Sequence, residues 1–186
     1  MITRPQLLLI ALAFLGSAAI GHAQPPTDGV IHADGFEDDP AGLGWQAPSP
    51  PAKQWVDGVA RDGNHSLCIR VDPGQNIKWR QQCAIPVKAH VKYCFSVWVK
   101  CGDVLDHWGV NVSVDVKGGG GVGQGNVIGR DGWREIRRYF TPTKDTQVSR
   151  ISLGLAGEND LDWGYETGPM AAWFDDITIM ETSLNL

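Results

Sequence analysis

The sequence is short of positive charge: 16 Lys and Arg stand against 21 Asp and Glu, a formal net charge of −5. A chain this acidic has no basic patch to neutralise phosphates, so nucleic acid is not expected as a partner. Long apolar runs are missing beyond residue 20, and no later stretch could span a bilayer. Catalytic signatures are missing too. There is no G-x-S-x-G elbow and no H-E-x-x-H pair, and His32, His65, His90 and His107 are scattered. GGGGVGQG (118–125) contains G-x-G-x-x-G after a strand pattern, but NVIGRDGW follows it and is not helical. A dinucleotide fingerprint requires a helix there, so the glycines read as a loop linking strands. Beyond the N-terminus no segment carries a helical period.

The N-terminus is of another kind. Met1-Ile2-Thr3-Arg4 carries a positive charge, Leu7 to Ile20 is apolar apart from Gly16 and Ser17, and Gly21-His22-Ala23 precedes Gln24-Pro25-Pro26. This is the layout of a secretory signal peptide cut after Ala23. The run is shorter than the roughly 20 residues a spanning helix needs. The expected organisation is a signal peptide over 1–23, a leader over 24–30, one domain over 31–181 and a tail over 182–186. The expected location is extracellular or periplasmic, as a monomer with no membrane association. Cysteines number only four, Cys68, Cys83, Cys94 and Cys101, none at zinc-finger spacing. In an oxidising compartment an even count suggests two disulfides with three possible pairings. Cys94 and Cys101 fall on opposite faces of one strand and are not expected to pair with each other.

Period-2 alternation is what the sequence has in quantity. SLCIRV sets Leu67, Ile69 and Val71 against Cys68 and Arg70, and YCFSVWVK sets Tyr93, Phe95, Val97 and Val99 against Cys94, Ser96, Trp98 and Lys100. GVNVSVDV and SRISLGL alternate in the same way. Each pattern marks a strand with one buried and one wet face. Between them lie DPGQN, GRDG and TPTKD, which are turn chemistry. Many short strands with turns at near-regular spacing predict an all-β fold, a β-sandwich or barrel.

Two constellations carry chemistry. Eight tryptophans are many for this length, and Trp98 alternates onto the face opposite Phe95 and Val97. Asn111, Ser113, Asp115, Arg150 and Ser152 occupy the polar faces of other strands. An indole among short polar groups suits a sugar ring, which stacks on the aromatic while its hydroxyls bond the polar atoms. Trp108, Trp163, Trp79 and Trp55 are further candidates. The second constellation is acidic. Asp175 in AAWFDDITI shares the parity of Ile177 and Ile179, so it is expected to point inward, where a bare carboxylate is costly. HADGFEDD holds Asp34, Glu37, Asp38 and Asp39 around Phe36. First and last strands of a sandwich often lie side by side, so the two clusters would converge on a hard cation, for which Ca²⁺ is suited.

The motifs DGFEDD, GW, DGNHSLCIRV, a W..Q segment leading to KYCFSVWVK, GWREIRRYFTP and WFDDITI come in an order that spans about residues 30–181. In this order the chain resembles the carbohydrate-binding modules of the galactose-binding-like β-sandwich superfamily, especially jelly-roll modules attached to cellulases and xylanases. The resemblance implies a two-sheet antiparallel jelly roll and a structural Ca²⁺ between the first and last strands. Asp175 and Glu37 would be side-chain ligands, and Gly35 and His65 would lend backbone carbonyls. It also implies poly- or oligosaccharide binding on a concave sheet face, by Trp98, Asn111, Ser113, Arg150 and Ser152. The expected function is therefore a secreted, non-catalytic carbohydrate binder. The rivals are an interaction or structural protein on the same scaffold, and a small polysaccharide-degrading enzyme using the acidic loop 157–168, which holds Glu158, Asp160, Asp162 and Glu166.

Overall fold

The computed structural model describes residues 29–46, 53–72, 76–102, 109–125, 132–156 and 170–182. Every regular element among them is a strand: β1 (Val30–Asp34), β2 (Trp45–Gln46), β3 (Lys53–Asp57), β4 (His65–Val71), β5 (Asn76–Val87), β6 (Tyr93–Cys101), β7 (Val110–Val116), β8 (Val122–Gly125), β9 (Trp133–Phe140), β10 (Thr146–Ala156) and β11 (Met170–Glu181). They form two antiparallel sheets, one ordered β3-β4-β11-β6-β9 with β1 also on β11, the other β2-β5-β10-β7-β8. The fold is the expected all-β, two-sheet sandwich.

Alternation builds the interior. Leu67, Ile69, Phe95, Val97, Val99, Phe174, Ile177 and Ile179 of the first sheet are buried with Val112, Val114, Ile151, Leu153 and Leu155 of the second, in one cluster. Burying each such side chain stabilises the fold by about 1.5–3 kcal/mol.

β11 carries a bulge that overturns one sequence expectation. Asp175 lies opposite Trp98, but Thr178 lies opposite Ser96, so β11 has one more residue than β6 between these pairs. Asp176 absorbs the extra step with φ 46°. The bulge inverts the parity: Asp175 shares the face of Trp98 and Trp173, away from the core, while Ile177 and Ile179 return to the core. Asp175 is nevertheless fully buried, because the loop after β3 covers it.

The expected disulfides are also corrected, since all four cysteines are free thiols. Cys101 faces the core, and Cys83 is on the other sheet. Cys68 and Cys94 share the outer face of the first sheet but lie opposite Trp173 and Met180, roughly 20 Å apart at 3.3 Å per residue. Burial pushes all four thiols up, Cys101 to about 11, which makes them poor nucleophiles.

Candidate functional site

The outer face of the second sheet is a polar surface assembled mainly from four strands. Register places Ser152 of β10 between Ser113 of β7 and Arg80 of β5, with Gly123 of β8 beyond Ser113 and Gln46 of β2 beyond Arg80. The next row holds Lys78, Gly154, Asn111 and Gly125, and the row on the other side holds Gln82, Arg150 and Asp115. Four sequence-predicted contact residues, Asn111, Ser113, Arg150 and Ser152, are thus brought together. Arg150 donates from Nε to Asp115 Oδ2 at 2.6 Å, and its Nη2 pairs with the same oxygen. Glycine lets neighbouring side chains pack close against the sheet. A Cβ on Gly154 would stand 2.8 Å from Lys78 Cγ, and one on Gly123 would stand 3.0 Å from Ser113 Cβ. The Lys78 stem therefore lies across Gly154.

The tryptophans do not join this set. Trp79 is 6% exposed and belongs to the core, so it offers no ring face to a ligand. Trp98 is half-buried on the outer face of the first sheet, on the opposite side of the sandwich. The Arg61 guanidinium covers its ring at 4.1 Å. Among the described residues, the polar face carries no aromatic side chain. Trp108 and the acidic loop 157–168 lie outside the described residues. Strand parity told which residues face outward, but not on which of the two sheets. The contributors that the sequence reading missed are Lys78, Arg80 and Gln82, which alternate with Ile77, Trp79 and Gln81 in NIKWRQQ.

The predicted calcium ligands gather where the loops after β1 and β3 meet the β11 bulge. Glu37 accepts the N–H groups of Asn64 and His65, both at 2.9 Å, and lies 3.4 Å from His65 Nδ1. These bonds, led by the His65 amide, hold its carboxyl below the usual range. Gly63, at φ +66°, makes this possible, because a Cβ there would overlap the Glu37 carboxylate. Asp175 Oδ2 accepts the Arg61 N–H at 2.7 Å, and its Oδ1 accepts the Asp176 N–H at 2.8 Å. Arg61 Nη1 pairs with Asp176 Oδ2 at 2.7 Å. Gly35 borders this cluster, since a Cβ there would stand 3.5 Å from Asp176 Oδ1. Burial raises Asp175 to about 7, and the Asp176 charge adds to the shift.

The chemistry of this donor set suits a hard cation: it is all oxygen, and a buried carboxylate is short of positive charge. The side-chain arrangement is looser. Among the described residues, no group of three or more His, Cys, Asp or Glu is placed to hold a metal ion. Beside Glu37 a recess of about 270 Å³ is lined by His32, Asp34, Gly35, Asp38 and Gln81 among others.

The sequence matches no protein-family model and no curated protein. Solved structures do match the fold. The tandem of two family 22 carbohydrate-binding modules from Paenibacillus barcinonensis Xyn10C superposes with a TM-score of 0.60 at 16% identity, covering 87% of this chain and 52% of that one. The family 22 and GH10 modules of Clostridium thermocellum endo-1,4-beta-D-xylanase 10B, complexed with xylohexaose, give 0.58 at 16% identity over 86% of this chain. This chain spans only 30% of that xylanase chain's length. TmCBM61, in complex with beta-1,4-galactotriose, gives 0.51 at 16% identity over 80% of this chain and 94% of its own. The chain has the β-sandwich fold of carbohydrate-binding modules.

Proposed function

We propose that this protein is a secreted, non-catalytic carbohydrate-binding module that acts as a monomer in the extracellular or periplasmic space. The observation that carries the reading is the polar face of β5, β10, β7 and β8, which unites Asn111, Ser113, Arg150 and Ser152 on one continuous surface. Amide, hydroxyl and guanidinium groups there offer donors and acceptors to sugar hydroxyls. The shared fold supports the reading, and the signal-peptide pattern of Met1 to Ala23 supports export.

Calcium belongs to the same proposal. Asp175 and Glu37 would hold it, with the carbonyls of Gly35 and His65. Bound there, the ion would supply the positive charge that buried Asp175 is short of.

Polysaccharide affinity electrophoresis and a glycan array test the sugar reading. The wild type is expected to be retained by at least one glycan. Asn111→Ala should weaken retention about fivefold, the loss of one hydrogen bond. Trp98→Ala should leave it unchanged, because that ring lies on the other sheet. A blank array for the folded wild type would end the sugar reading, and selective loss with Trp98→Ala would move the site.

A further inference from the structure

The charge on the polar face runs against the charge of the whole chain. The protein carries −5 overall, with 16 cations to 21 anions. Yet among the described residues this face places Lys78, Arg80 and Arg150 against the single acid Asp115. Asp115 is already taken by Arg150. Lys78 and Arg80 lie two residues apart on β5, beside Ser152 and Gly154, and neither has an ion-pair partner among the described residues. Neighbouring like charges repel, and the acidic chain has carboxylates elsewhere that could have neutralised them. Among the described residues, charge and polar atoms are what this face offers a ligand.

We propose that the ligand of this face is an anionic glycan, one whose uronate carboxylates are held by Lys78 and Arg80 with Arg150 at the next row. This rests on the carbohydrate-binding reading and narrows it. The guanidinium of Arg80 presents paired donors that match a carboxylate, and the Lys78 ammonium adds a point charge. Asn111 and Ser113, both part-exposed, meet the neutral hydroxyls between the acid groups, and Ser152, only 5% exposed, lies beneath them in the sheet. Because the face is open, the attraction is screened by salt.

The test uses the full mature chain against polygalacturonate, alginate and glucuronoxylan, each beside its methyl-esterified form, with a neutral glycan array and duplex DNA as further arms. The expected result is retention on an acidic polysaccharide that drops about tenfold or more on esterification. It should also fall with rising salt, and drop similarly in the folded double variant Lys78→Gln/Arg80→Gln. Equal binding of acidic and esterified forms, or binding confined to neutral glycans, overturns the acidic class and leaves the sugar reading standing. DNA binding as strong as glycan binding, and equally lost in the double variant, also overturns it, because the face would then be a general polyanion surface. No binding to any glycan defeats both readings.

Discussion

His32 shows what one half-buried side chain does to the whole stability curve. It sits on the core side of β1, opposite Ile179, and its Nε2 is buried without a hydrogen-bond partner among the described residues. Burial lowers its pKa from 6.5, and the nearby Asp34 charge offsets only part of that. The folded pKa is thus below the unfolded one, so the unfolded chain binds the proton more readily. The stabilising contribution is complete above the unfolded value and is lost as pH falls through it toward the folded value. Asp175, raised to about 7, acts with the opposite sign in this window, so the His32 contribution is read as a difference: in thermal melts from about pH 7.5 to 5.5, His32→Gln should gain stability relative to the wild type as pH falls. Identical slopes in the two proteins would assign the acid sensitivity to other groups. At this scale the sequence was informative about in and out. Phe95 and Val97 are core, and Asn111 and Ser113 are on the wet side, as alternation required. It was uninformative where a polar residue faces inward: buried Gln81 breaks the apolar count of β5 and hides the outward Lys78 and Arg80.

Strand β11 serves two partners on one side, β4 along Met170–Phe174 and β1 along Ile177–Met180, and the bulge at Asp175–Asp176 sits at the changeover. A regular strand would have put Asp175 and Ile177 on one face, which is what the period-2 pattern predicts. An added residue cannot be seen in alternation when both bulge positions are the same amino acid. The bulge requires Asp176 in the left-handed region, where Asp and Asn are tolerated and β-branched residues are not. Asp176→Asn keeps that backbone and loses only the partly exposed pair with Arg61, an effect of about 0–1 kcal/mol. Asp176→Val loses the pair and adds roughly 1–2 kcal/mol of backbone strain. Urea denaturation should rank them in that order, wild type first. Equal losses in the two variants would mean that the left-handed residue does not hold the bulge.

For the molecule as a whole, the all-β class and the sandwich were legible because alternation and turn chemistry are local. Which strands share a sheet was not, because pairing is set by contacts far apart in sequence. That is why Trp98, read with Asn111 and Ser113, stands on the far side of the sandwich. The loops that close over Asp175 are another long-range feature, and they give the calcium proposal its test. The segment from Arg61 to His65 is bonded at its start to Asp175 of the β11 bulge and at its end to Glu37. An ion there would tie β1, β4 and β11 together and would bind the folded chain alone. Calcium at about 100 times its dissociation constant adds about 2.7 kcal/mol to stability. For a domain of this size that corresponds to roughly 5–10 °C in Tm. Chelator should lower the Tm of the wild type by that amount, added Ca²⁺ should restore it, and Asp175→Ala should melt at one temperature in both conditions. A wild-type Tm that ignores chelator would remove calcium from the fold and leave the Arg61 amide and neighbouring hydrogen bonds as the support of the buried carboxylate.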